Sequence, residues 1–197
     1  MTTATKVTVL RIVLVPFFVV QVLYYERTGE EWHRLAAFVC FAVAALSDAL
    51  DGYLARRYQQ HSELGALLDP VADKILLAAA LLLLTFERGT HLPRLPLWLA
   101  GTVIGRDAIQ AVGFAVVHYT VGKMPIRPRW LGKCATVLQI ITVAWTLLKW
   151  HADWLTPLAV VTALCTGISG AQYLLDGMKV LGSSPASAPA PPEKKSP

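Results

Sequence analysis

Apolar residues are gathered into long runs that short polar segments separate. A helix needs about 20 mostly apolar residues to cross the hydrocarbon layer of a membrane, and each run is close to this length. A single span must satisfy its own backbone hydrogen bonds in lipid, so we expect every run to be helical. The pattern predicts an all-α integral membrane protein with six transmembrane helices, at residues 7–25, 35–55, 64–86, 95–117, 130–150 and 154–178.

Pro16 lies well inside the first run and Pro70 inside the third. A proline in a helix interior removes a backbone donor and can bend the helix. Pro70 has a second interpretation, as the first residue of a helix that Asp69 caps. The sequence leaves both interpretations open.

Composition supports the membrane assignment, since 55% of the 197 residues are hydrophobic and only 16% are charged. Arg11 interrupts the first run and no small-residue cleavage pattern follows, so we expect a retained helix. Residues 182–197 are rich in proline, serine and alanine, which predicts a disordered tail after one catalytic domain at residues 1–181. The three cysteines are scattered and predict no disulfide.

The basic residues cluster at alternate ends of the runs. Most lysines and arginines fall at the N-terminus, in the 56–63 and 121–133 segments and in the C-terminal region. Cytoplasmic segments carry the excess of such residues, so both termini are predicted to be cytoplasmic. Orientation in the membrane therefore accounts for the net charge of +5, and no nucleic-acid partner is expected.

Four aspartates interrupt the second and third runs: Asp48, Asp51, Asp69 and Asp73. A charged side chain at the centre of a membrane helix costs about 2.5–3.5 kcal/mol on insertion scales, so a group of four needs a compensating partner. Spacings of three and four place each pair on one helix face. An all-oxygen cluster suits a hard cation such as Mg²⁺ or Mn²⁺. The alternative is that single aspartates cap or end helices near the interface.

A pattern with fixed gaps extends over the second and third runs: Asp48-Ala-Leu-Asp51-Gly52-Tyr-Leu-Ala55-Arg56, then eight residues, Gly65, three residues, Asp69, three residues and Asp73. This pattern resembles the signature of the CDP-alcohol phosphotransferase family at every fixed position. The resemblance implies six membrane helices, a homodimer and an active site on the cytoplasmic side of the cell membrane. It also implies one or two Mg²⁺ or Mn²⁺ ions held by the four aspartates, with Asp73 as general base.

The same resemblance implies which residues contact the cytidine diphosphate part of a CDP-linked lipid. Near the N-terminus the family often has Asn-x-x-Thr-x-x-Arg, and this chain has Thr5 in place of the asparagine. The implied nucleotide contacts are Thr8, Arg11, Gly52, Arg56, Ser62 and Gly65.

Basic residues of the fourth and fifth runs indicate the kind of acceptor alcohol. Arg106 and Lys133 supply cations that could bind an anionic acceptor. Arg127 and Arg129, just before the fifth run, could add to these cations or serve as positive-inside anchors, and pairing with Asp107 is the alternative for Arg106. The segments around Arg11 and Lys74 resemble the phosphatidylglycerophosphate synthase branch of the family. We therefore expect transfer of a phosphatidyl group from CDP-diacylglycerol to glycerol 3-phosphate, with release of CMP.

Two other activities stay open. A cardiolipin synthase that uses CDP-diacylglycerol and phosphatidylglycerol belongs to the same branch; Asp107 and a single lysine at Lys133 lean that way, where the glycerophosphate enzymes usually have glutamate and a second lysine. A cation or proton transporter would also place acids inside the membrane, but would not require the glycines and arginine among them. A noncatalytic scaffold is disfavoured because all four carboxylates are present.

Overall fold

The computed structural model describes residues 3–58, 63–87, 89, 91–121 and 130–182. For residues 3–10, 48–58, 63–73, 114, 115, 117–121 and 179–182 the description covers the backbone alone. The described part is helical: α1 (Thr3–Thr28), α2 (Glu31–Tyr58), α3 (Glu63–Phe86), α4 (Leu97–Val121), α5 (Trp130–Leu147) and α6 (Leu155–Gly182), with a short 3₁₀ helix at Ala152–Trp154. The prediction of an all-α chain is confirmed, and each apolar run falls on one helix.

The helix boundaries differ from the sequence prediction at the ends of the runs. α3 begins at Glu63 and contains Pro70, so the interpretation of Pro70 as a helix start is wrong. Pro16 likewise lies inside α1. Prolines are tolerated within membrane helices because neighbouring groups re-satisfy the backbone atoms that the ring leaves unpaired. After α5 the chain turns through Lys149, whose φ of 53° is left-handed, before the 3₁₀ helix.

The helices pack in two groups that share one apolar core. α1 packs against α2 and α3, whereas α6 packs against α4 and α5. Phe18 of α1 and Phe41 of α2 are buried with ring centroids 5.8 Å apart, and Leu81 of α3 and Leu99 of α4 are fully buried in the same core. This core fixes the helices that carry the aspartates relative to the helix that carries Arg106.

Hydrogen bonds between buried polar side chains join α5 to α6. Gln139 Nε2 donates to Thr166 Oγ1 at 3.2 Å, and the hydroxyls of Thr142 and Thr162 are 3.0 Å apart. Lipid tails are as apolar as leucine, so helices in a membrane associate through such bonds and through close packing. The hydrogen bonds between α5 and α6 are therefore of the kind that holds a pair of membrane helices together.

Polar contacts gather several helix ends at one end of the bundle, here called the Tyr25 end. Lys149, after α5, donates from Nζ to the Tyr25 hydroxyl at 2.9 Å, and that hydroxyl donates to Glu31 of α2 at 3.3 Å. Glu26 accepts the backbone N–H groups of His91 and Leu92 at 3.1 and 2.8 Å. The end of α1, the start of α2, the α3–α4 connection and the end of α5 therefore lie together.

Since successive helices run in opposite directions, the end of α2 and the start of α3 lie at the other end, called the aspartate end. The end of α4 and the start of α5 belong there as well. The helix segments that carry the four predicted acids and Lys133 therefore lie toward the same end of the bundle.

Two segments of the described chain are long and apolar enough to cross a membrane, Trp130–Leu147 and Ala152–Met178. Large apolar side chains such as Val13, Leu46 and Leu164 are exposed around the bundle. Exposure of so many apolar side chains to water would be unfavourable, whereas the hydrocarbon of a membrane solvates them. These features are those of a membrane protein.

Candidate functional site

The backbone places the aspartates on two neighbouring helices. Asp48 and Asp51 lie in α2, and Asp69 and Asp73 lie in α3. At 3.6 residues per turn, their spacings of three and four keep each pair on one face of its helix. Their side chains lie outside the described part of the structure, so convergence of the four carboxylates stays a prediction.

The nucleotide contacts that the sequence suggests fall mostly in the same regions. Helix α2 contains Gly52 and Arg56, α3 contains Gly65 and α1 contains Thr8, and the description of these four residues covers the backbone alone. Ser62 lies outside the described residues altogether. Among the side chains that the structure does describe, no group of three or more histidines, cysteines and acids could hold a metal.

Arg11 is the one suggested nucleotide contact whose side chain is described. It lies in α1 and is 1% exposed, which makes it the largest fully buried side chain of the described part. A buried arginine in a membrane helix is costly unless it is engaged, so its position is typical of a functional or structural requirement.

Arg106 of α4 occupies a junction between helices at which its charge is well satisfied. Its side chain is only 9% exposed, and Nη1 donates to Asp107 Oδ1 at 2.7 Å. Nη2 is 3.5 Å from Ser169 Oγ of α6. The Gln110 amide, with its oxygen toward the guanidinium, accepts from Nε at 3.1 Å and from Nη2 at 3.2 Å. The guanidinium is thus oriented from three sides.

Two glycines make the space that Arg106 fills. A Cβ at Gly170 of α6 would lie 3.2 Å from Arg106 Cγ, and one at Gly132 of α5 would lie 3.3 Å from Nη2. Both distances are tighter than ordinary van der Waals contact, so a larger residue would displace the arginine or the helix. The absence of side chains at these positions lets α4, α5 and α6 close around one buried cation.

Asp107 has a second cationic partner. The same Oδ1 atom lies 3.5 Å from Lys74 Nζ of α3, with the lysine side chain 41% exposed and the aspartate 22%. Lys74 directly follows Asp73, so this ion pair ties the motif helix to α4. No role for Lys74 was predicted from the sequence. The signal that could have identified it is a lysine inside an apolar run, which needs an acidic partner in the membrane.

Lys133, the other suggested acceptor cation, is exposed at the start of α5, and its Nζ lies over the Trp130 ring at 5.5 Å from the centroid. The structure therefore brings the backbone of α5 to Arg106 at Gly132 but turns the Lys133 ammonium toward Trp130. The pairing of Arg106 with Asp107, one of the two interpretations of that arginine, is present.

Comparison with known proteins covers most of the chain. A family model described as CDP-alcohol phosphatidyltransferase matches residues 1–165. A protein of Shigella flexneri serotype 5b (strain 8401) and one of Escherichia coli (strain K12) are each 37% identical over 175 residues, which cover 86% of this chain and 91% of the relative. Both are named CDP-diacylglycerol--glycerol-3-phosphate 3-phosphatidyltransferase.

Proposed function

The chain belongs to the CDP-alcohol phosphatidyltransferase family, and we propose that it forms phosphatidylglycerophosphate from CDP-diacylglycerol and glycerol 3-phosphate with release of CMP. The observation that carries this proposal is the 37% identity over 86% of the chain to relatives whose name states this donor and this acceptor. The ion-paired Arg106, which lies beside Gly132 of α5, agrees with an anionic acceptor.

The family is generally dependent on a divalent metal. The donor set fits such an ion, because four carboxylates on two adjacent helices are hard oxygen ligands. In the proposal Asp48, Asp51, Asp69 and Asp73 hold one or two ions of Mg²⁺ or Mn²⁺. When bound, the cation offsets negative charge on the diphosphate of the donor.

The proposed transfer is a single displacement at the phosphorus of the phosphatidyl group. A hydroxyl oxygen of glycerol 3-phosphate forms the new P–O bond while the bond from that phosphorus to the CMP oxygen breaks. Asp73 accepts the hydroxyl proton as general base, and CMP leaves with the electron pair. The protein contributes mainly position and charge, as in other phosphoryl transfers.

Binding of the two substrates divides between the helices. Thr8, Arg11, Gly52, Arg56, Ser62 and Gly65 are the proposed contacts of the cytidine diphosphate group, and the two glycines leave room for phosphate against the backbone. Arg106 and Lys133 are the proposed cations of the acceptor side. Support for Arg106 comes from its low exposure and fixed orientation, because a preorganised arginine binds phosphate at low entropic cost.

The proposal includes the membrane arrangement. Six helices cross the cell membrane with both termini in the cytoplasm, the aspartate end faces the cytoplasm, and two chains form a homodimer. The charge pattern of the sequence supports the orientation.

A cardiolipin synthase is the second candidate, favoured by aspartate at position 107 and by the single lysine at position 133. Transport of cations or protons is disfavoured by family membership. One experiment separates the enzymes: purified protein in lipid nanodiscs receives CDP-diacylglycerol and Mg²⁺ with either glycerol 3-phosphate or phosphatidylglycerol. We expect phosphatidylglycerophosphate and CMP in the first mixture. Cardiolipin in the second mixture alone would overturn the proposed acceptor, and no CMP in either would overturn the transferase.

A further inference from the structure

Lys74 is the accessible member of the charged group around Asp107. Arg106 is 9% exposed and its donors face Asp107, Gln110 and Ser169, whereas the Lys74 side chain is 41% exposed. A phosphate that approaches this group therefore meets the lysine ammonium more readily than the guanidinium. The residue that precedes Lys74 in the chain is the proposed general base, Asp73.

Asp107 holds the two cations in one arrangement. Its Oδ1 atom contacts Arg106 Nη1 at 2.7 Å and Lys74 Nζ at 3.5 Å, so both cations lie within ion-pair distance of a single oxygen. Arg106 has two further hydrogen-bond partners, Gln110 and Ser169, so its orientation does not depend on Asp107 alone. Among the described residues, Asp107 is the ion-pair partner that keeps the long and flexible lysine side chain against α4.

Electrostatics explains why such a carboxylate is needed. Two cations that contact the same oxygen repel each other in a medium less polar than water, and the lysine would move away toward solvent if nothing held it. With the carboxylate of Asp107 included, the three groups carry a net charge of one positive unit. That balance attracts an anion without leaving two unpaired cations within the helices.

We propose that Lys74 contacts the phosphate of the acceptor and that Asp107 is a positioning residue, which holds Lys74 beside Arg106 at a fixed distance from Asp73. This inference rests on the proposed function, because it names a contact for glycerol 3-phosphate. It adds α3 to the acceptor side of the site, so one helix carries both the base and a phosphate ligand on successive residues.

The test compares Michaelis constants for the two substrates in purified Lys74→Met, Asp107→Asn and the double variant. Loss of one charge-assisted contact is expected to raise KM for glycerol 3-phosphate about tenfold in Lys74→Met, with KM for CDP-diacylglycerol little changed. Asp107→Asn should give a similar rise. The double variant should be no worse than the single ones, because both changes remove the same interaction.

Two conservative variants and one control complete the experiment. Lys74→Arg and Asp107→Glu keep the charges and should hold KM for glycerol 3-phosphate within about threefold of the parent protein. Asp153→Asn makes the same chemical change as Asp107→Asn at an exposed position of the 3₁₀ helix and should leave both constants unchanged.

An unchanged KM for glycerol 3-phosphate in Lys74→Met would overturn the inference. A lower KM for glycerol 3-phosphate in Asp107→Asn would also overturn it, because it would show that the carboxylate competes with the acceptor. Equal changes in KM for both substrates, together with a lower Tm, would overturn it as well, because they indicate a structural role. If Asp107→Asn does not fold, Lys74→Met and Asp107→Glu decide the matter. Absence of turnover by the parent protein with glycerol 3-phosphate would instead refute the proposed function, before any variant is compared.

Discussion

Neighbouring residues of α3 have separate tasks in the proposed reaction. Asp73 takes the proton of the attacking hydroxyl, while Lys74 reaches Asp107 of α4. On a helix, consecutive side chains point about 100° apart, so the two functional groups can serve different parts of one substrate. The sequence was sufficient to single out Asp73 from its motif spacing. It could not identify the pairing of Lys74, because which side chain of another helix lies opposite depends on the packing of α3 against α4.

Replacing the base should separate binding from turnover. Asp73→Asn removes the proton acceptor but keeps an oxygen ligand and nearly the same volume. We expect a folded protein that still binds CDP-diacylglycerol with Mg²⁺ and loses most of its turnover, on the order of 10²-fold or more. Steady-state rates and donor binding to the purified variant measure the two properties. Near-parental turnover would remove Asp73 from the role of base.

Individual elements show how far local pattern predicts structure. The six apolar runs became six helices because run length and backbone satisfaction in lipid are properties of each segment. The 3₁₀ helix at Ala152–Trp154 and the helical extension of α2 to Glu31 were missed, since polar residues at helix ends carry a weak signal. The contact of Glu26 with the α3–α4 connection was also missed, because it joins segments far apart in sequence.

That contact provides a prediction about stability. A Cβ at Gly89 would overlap Glu26 Oε2 and lie 2.7 Å from Glu26 Cβ, so Gly89→Ala must displace the 5% exposed carboxylate from the two backbone N–H groups that donate to it. Leaving such buried donors unpaired costs about 1–3 kcal/mol. We expect a Tm several degrees lower by thermal denaturation, with the specific activity of the folded fraction retained, because the change lies at the Tyr25 end.

The matched control is Gly101→Ala in α4, where a new Cβ meets nothing within 4 Å. Alanine is favoured over glycine in a helix by about 1 kcal/mol, so its Tm should be equal or higher. A Tm for Gly89→Ala that equals that of Gly101→Ala would mean that Glu26 does not hold the α3–α4 connection.

At the scale of the whole molecule, the proposed reaction site and the polar contacts around Tyr25 belong to opposite ends of the bundle. Alternation of six helices puts the motif segments of α2 and α3 and the start of α5 at the aspartate end, away from Tyr25 and Lys149. The charge pattern predicted the orientation of these ends in the membrane, whereas the sequence alone could not reveal which helices pack together. The grouping of α1 with α2 and α3, and of α6 with α4 and α5, is a property of the packed bundle.

The proposed orientation can be tested with cysteine labelling in intact cells. Asp153 lies in the exposed 3₁₀ helix after α5, and Cys134 is exposed near the start of α5. In variants with a single cysteine, a membrane-impermeant maleimide should label Asp153→Cys from outside and should label Cys134 only after the cells are opened. Labelling of Cys134 in sealed cells, with Asp153→Cys protected, would reverse the orientation.

In the proposed reaction, aspartates from two helices share a cation at the site of transfer. Binding of Mn²⁺ to the protein in nanodiscs, followed by electron paramagnetic resonance, tests it with Asp48→Asn in α2, Asp69→Asn in α3 and Asp153→Asn as control. We expect each of the first two changes to weaken Mn²⁺ binding at least tenfold, because each removes a charged ligand, while the control binds as the parent does. Unchanged Mn²⁺ binding in either Asp48→Asn or Asp69→Asn would contradict a site shared between the helices.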